Sequence, residues 1–126
     1  MADARCRANF PMAIDDDAHL VIVAFRAPAR LMAFTQDGAV AASLPGCGDA
    51  DDVFVDAKRQ RLYVSCGEGV VDVLERRDAG YLRIARIPTV SGARTALFLA
   101  EADRLFVAIR AARGEPAAIW VFRPAP

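Results

Sequence analysis

Three stretches of this 126-residue chain can be written one above the other without a gap: FPMAIDDDAHLVIVAF, DVFVDAKRQRLYVSCG and TALFLAEADRLFVAIR. On that alignment Leu20, Leu62 and Leu105 share a column, spaced by 42 and 43 residues, behind His19, Arg61 and Arg104. Downstream come LMAF (31–34), VDVL (71–74) and IWVF (119–122), then twice a further apolar run, AVAASLP (39–45) and YLRIARIP (81–88). Each run is short, rich in β-branched and aromatic residues, and bounded by Gly, Pro, Asp or Arg, which is the pattern of strands joined by turns. A period of about 40–45 residues with four strands per unit is the signature of propeller blades. The expected fold is therefore all-β: a partial β-propeller of three four-stranded antiparallel blades, the last without its outer strand. The expected division is a tail at 1–8, blades at 9–50 and 51–93, and an incomplete blade at 94–126.

Composition narrows the function classes. Sixteen Lys and Arg balance sixteen Asp and Glu, so no general basicity draws the chain to nucleic acid, and a nucleic-acid partner is not expected. The 55% hydrophobic content suits a core-forming chain, and no apolar run approaches the length of a membrane-spanning helix. The start, MADARCRANF, lacks the apolar centre of a secretory leader. A cytoplasmic location is expected from that, or a periplasmic or cell-surface one if the chain is part of an exported parent.

With one His and three Cys in no CxxC spacing, an ordinary Cys/His zinc site is not expected. The Asp15-Asp16-Asp17 run reads as a solvated turn rather than a metal loop. In a meander, alternate connections share one end of the sheet. That places Cys47, Asp49, Asp51, Asp52, Cys66, Glu68, Arg94, Arg110 and Arg113 at one end, and His19, the Asp run and Arg104 at the other. The lone His is thereby separated from the acidic cluster, which argues against a Ser-His-Asp arrangement. No catalytic residue and no resident metal are assigned.

Where the first strands begin, the alignment superimposes Asn9, Asp51 and Arg94. Together with Asp52 and Glu68 these are the candidate ligand-binding residues, suited to a small polar molecule. The competing structural reading pairs Asp51 with Arg94 across adjacent blades and favours that pairing. Cys47 and Cys66 lie in successive loops of one blade, where small buried thiols are favoured over a disulfide.

Leu62-Tyr63-Val64-Ser65 and then GEGVVDVLE (67–75) resemble the YVTN-type repeat β-propellers of bacteria, the surface-layer-like or quinoprotein-like propellers. ANFPMAID (8–15), GDADDVFVD (48–56) and IPTVSGARTALFLAEADRLFVAI (87–109) resemble the C-terminal blades of that group. The resemblance implies a propeller fold and no particular reaction; three blades here contrast with the about seven usual there. The expected function is a non-catalytic scaffold for ligand or protein binding, without cofactor. The alternative is a lactonase- or hydrolase-type enzyme in which Asp51, Asp52 and Glu68 hold calcium. Three blades would leave two apolar faces open, with Phe10, Met12 and Leu20 on one and Leu97, Phe106 and Trp120 on the other. Self-association, as a homodimer, is therefore expected.

Overall fold

In the computed structural model, residues 6–78 and 80–126 are described, with Ala8 and Asn9 described by their backbone alone. Eleven strands, and no helix among the described residues, follow the predicted order. They are β1 (Arg7–Asp15), β2 (Leu20–Ala27), β3 (Ala29–Thr35), β4 (Val40–Pro45), β5 (Ala50–Asp56), β6 (Arg61–Cys66), β7 (Val70–Arg77), β8 (Gly80–Pro88), β9 (Ala96–Leu99), β10 (Arg104–Ile109) and β11 (Ala118–Phe122). They form three antiparallel sheets ordered β1-β2-β3-β4, β5-β6-β7-β8 and β9-β10-β11, each strand paired only with its sequence neighbours. The first strands β1, β5 and β9 are neighbours across the seams, and β4 meets β8.

The first hairpin turn is built alike in all three sheets. His19, Gln60 and Asp103 each adopt a positive φ of 56–57°, and each donates its amide to the carbonyl three residues back: Asp16, Ala57 and Ala100. Asp15 pairs with Leu20, Asp56 with Arg61 and Leu99 with Arg104. These positions correct the sequence alignment by one residue in the first sheet. Val21, not Leu20, matches Leu62 and Leu105, and Phe10, not Asn9, matches Asp51 and Arg94. The four-residue turn sets the register, and a leucine identity on either side of it does not.

Alternation along each strand then decides which side chains meet. Leu20, Ile22 and Ala24 pack with Val53, Leu62 and Val64, forming the core between the first and second sheets. Tyr63, Phe54 and Val71 pack with Leu105, Val107 and Phe98, forming the core between the second and third. Matching residues therefore point the same way in each sheet: Ile22, Tyr63 and Phe106 forward along the chain, Val21, Leu62 and Leu105 backward. Leu20 thus belongs to the inter-sheet core rather than to an outer face. Trp120 pairs with Val107 and shares its inward side, again contrary to expectation. The outward side of the first sheet carries the buried Val23, Phe25 and Met32, with the partly buried Cys6, Val21 and Phe34 packed against them.

Candidate functional site

Each seam is anchored by a carboxylate at the end of a first strand. Asp15 is 4% exposed and accepts the Tyr81 hydroxyl at 2.7 Å and the Arg76 guanidinium at 3.3 Å, both from the second sheet. Asp56, at 2% exposed, accepts the Tyr63 hydroxyl at 2.5 Å and Arg59 at 3.0 Å. Arg59 then crosses to the third sheet and donates two hydrogen bonds to Asp103, at 2.6 and 2.7 Å. Each of these aspartates also accepts the amide three residues on, from Ala18 and Arg59. A third buried carboxylate, Asp72, is held by two bonds from Arg86 at 2.6 and 2.9 Å. Removing a charge from water is costly unless it is paired and hydrogen-bonded, and all three are.

At the opposite end of the sheets lie the residues singled out from sequence. The structure brings Asp51 and Arg94 to the same end but not to each other. Asp51 accepts Arg26 at 2.7 Å, and Arg94 donates to Asp49 at 2.5 Å, so the expected Asp51–Arg94 pair is replaced by two others. Arg26 also donates to the Ala50 carbonyl at 2.9 Å, approaches Asp49 at 3.5 Å and lies over the Phe10 ring, 5.1 Å from its centroid. Asp52 accepts the Ala96 amide at 2.8 Å, tying β5 to β9. Burial raises the Asp52 pKa above the ordinary carboxylate value, against the opposing effect of that hydrogen bond, and the neighbouring Asp51 charge adds to the rise. Glu68 faces Arg86 at 4.0 Å. The Asn9 backbone pairs with Phe25, and its side chain lies outside the described residues.

The loops carrying these residues are stapled. Cys47 and Cys66 form a disulfide with a Cα–Cα distance of 5.9 Å, which overturns the expectation of free thiols. Between them the Gly67 amide donates to the Asp49 carbonyl at 2.8 Å and the Gly92 amide to the Gly67 carbonyl at 2.7 Å. A Cβ at Gly67 would overlap the Asp49 carboxylate, so only glycine lets the Asp49–Arg94 pair close over this backbone.

Chemically, this end is a set of ion pairs rather than an open ligand cage. Asp51, Asp52 and Glu68 each have a different partner, and among the described residues no group of three His, Cys, Asp or Glu side chains could hold a metal ion. His19 sits in the β1–β2 turn, at the other end of its sheet. Arg26 was missed from sequence, although it lies one residue before the end of β2, at the position that Arg110 takes just after β10. The Asp15 and Asp56 anchors were hidden by the one-residue slip, which set Asp56 opposite Ile14.

A cavity of about 260 Å³ lies between the second and third sheets, lined by Val71, Val73, Ile87, Leu105 and Phe122. At its rim Arg61 donates to the carbonyls of Ala125 at 2.6 Å and Pro126 at 3.2 Å. No helix is long and apolar enough to cross a membrane among the described residues. No protein-family model matches the chain, and no curated protein matches it.

Proposed function

We propose that the chain is three consecutive blades of a β-propeller, of the kind the YVTN-type resemblance implies, acting as a non-catalytic binding scaffold. One observation carries this reading: residues at matching positions point the same way in all three sheets, so the middle sheet presents one face to the sheet before it and the other to the sheet after it. Blades stacked about a common axis have this order, whereas a sandwich of two sheets turns like faces inward. The acidic residues that a calcium-dependent hydrolase would use are engaged between sheets, by Arg26 for Asp51 and the Ala96 amide for Asp52. The apolar cavity beside β11 is then the place for a ligand, and its lining suits an apolar group rather than a polar one.

Calcium titration by calorimetry, run beside a lactone-hydrolysis assay, tests the proposal. Neither heat nor turnover is expected. Saturable heat that disappears in Asp52→Asn would instead favour the hydrolase.

A further inference from the structure

On the reading given above, that the cavity beside β11 is the place for a ligand, we infer that the ligand is an extended segment of a partner protein. The segment joins the free edge of β11 as a fourth strand and turns apolar side chains at alternate positions toward the cavity. The first two sheets each have four strands, and among the described residues the third stops at β11. Ala108 donates its amide to Thr95, on the β9 side, at 2.9 Å, so alternation turns Leu105, Val107 and Ile109 toward β11. Their partners Phe122, Trp120 and Ala118 turn back toward β10, which leaves the amides and carbonyls of Ile119 and Val121 pointing off the edge. The matching residues of the second sheet, Val71 and Val73, pair there with Ile87 and Ala85 of β8. Backbone donors and acceptors in a row along an edge are what an added strand pairs with.

The side chains around the edge call for the same occupant. The fourth strands form a row, β4 against β8, and the β4 residues turned toward the second sheet, Ala42 and Leu44, pack into the core there. The row ends at β8, where Ile84 is 40% exposed and lines the cavity with Ala85 and Ile87. Across the cavity, Trp120 takes the position of Asp72. Arg86 of β8 holds Asp72, which is 2% exposed, whereas Trp120 has no strand beyond it and is 38% exposed. The tail after β11 does not serve as that strand. Pro124 and Pro126 have no amide to give a ladder, and Arg59 and Arg61 draw the Ala125 carbonyl to the second sheet. Nor does a second copy fit. Antiparallel pairing of two β11 edges needs a twofold axis across the joined sheet, which puts both second sheets on one side of it. Each second sheet is one strand wider than the third, so β8 of the two copies would claim the same space. A single extended segment carries no such overhang.

Titration of the full chain with the synthetic peptide acetyl-KVTVEVK-amide, which has valine at alternate positions, tests this. A saturable blue shift in the emission of Trp120, the only tryptophan, is expected, with slowed hydrogen exchange at the Ile119 and Val121 amides. Val121→Pro removes an edge amide that the sheet itself does not use, so far-ultraviolet circular dichroism should be unchanged while peptide binding weakens about tenfold. Ile84→Asp, on the facing wall of the cavity, should weaken binding as well and leaves β11 untouched. No binding to the wild-type chain, or equal binding by both variants, would overturn the strand addition. So would a mass twice the 13.6 kDa of one chain that returns to one chain in Val121→Pro, since a second copy would then hold the edge. Octanol, which can enter the cavity but has no backbone to pair, separates the two readings. Octanol shifting the methyl resonances of Val71 and Leu105 where the peptide does not bind would overturn the strand addition alone, and binding of neither would overturn the cavity as the ligand's place as well.

Discussion

Arg59 and Asp103 meet across the seam between the second and third sheets through two parallel hydrogen bonds, while the same guanidinium reaches back to Asp56. One side chain thereby satisfies a buried acid on its own sheet and fixes the turn of the next. The fork of the guanidinium makes this possible, since a lysine ammonium cannot present two parallel donors.

Loss of that fork should be costly. Arg59→Ala leaves Asp56 with the Tyr63 hydroxyl but no cation, and the chain should lose about 1.5–3 kcal/mol, the usual worth of hydrogen bonds to charged groups. Urea unfolding monitored by circular dichroism measures it. Arg59 holds the Asp103 carboxyl below the ordinary carboxylate range. Stability from that depression is present above the unfolded value near 3.9 and is lost as pH falls through the folded value. The acid limb of the stability curve should therefore flatten in Arg59→Ala.

The basic limb should be governed by the phenols. The chain has two tyrosines, and burial first, then a hydrogen bond to Asp56 or Asp15, raises both above their ordinary value near 10. A raised pKa contributes stability below the unfolded value that is lost as pH rises through the folded one. Absorbance at 295 nm should show phenolate appearing together with unfolding, well above pH 10. Tyr63→Phe and Tyr81→Phe should each remove one phenolate from that transition. Phenolate forming near pH 10 in folded protein would contradict the burial.

Reduction of Cys47–Cys66 should destabilise the middle sheet. The cysteines are 19 residues apart, and closing a loop of that size removes unfolded-state freedom worth about 3 kcal/mol. The double variant Cys47→Ala/Cys66→Ala should melt earlier than the oxidised chain, and reductant should then have no further effect on it.

Double-mutant cycles separate the observed pairing from the expected one. Arg26→Ala with Asp51→Ala should show a coupling of about 0.2–1 kcal/mol, as for partly exposed ion pairs. Arg94→Ala with Asp51→Ala should be additive within error. Coupling in the second cycle and none in the first would reverse the assignment.

Much of the architecture was legible in the residues because apolar runs such as LVIVAF and RLYVS lie between turn clusters, and the strands fall where the runs do. Register was less legible. A leucine identity aligned Leu20 with Leu62, but the turn residues His19, Gln60 and Asp103, which share a backbone conformation, share no chemistry that marks it. That single slip moved Leu20 to the wrong face and set Asn9 beside Asp51. Trp120 was misplaced for another reason: it takes the position of Asp72, and its size gave no hint of an inward side. At the loops, partner choice escaped the sequence because Asp49, Asp51 and Asp52 lie within four residues of one another. Backbone direction alone decides which of them reaches Arg26, Arg94 or the Ala96 amide.

The meander connectivity also sets how the chain gets to its structure. Because every strand pairs with the one just before or after it, backbone pairing closes only hairpin-sized loops, whose entropic cost is small. Each sheet can organise with little reference to the others, and the steps that need distant residues to find one another are the dockings at the seams. Folding should accordingly be fast for a β protein, since rate falls as the sequence separation of contacts grows. Substitutions in the Arg59–Asp103 clamp should then speed unfolding more than they slow folding, because the clamp closes only once two finished sheets have met.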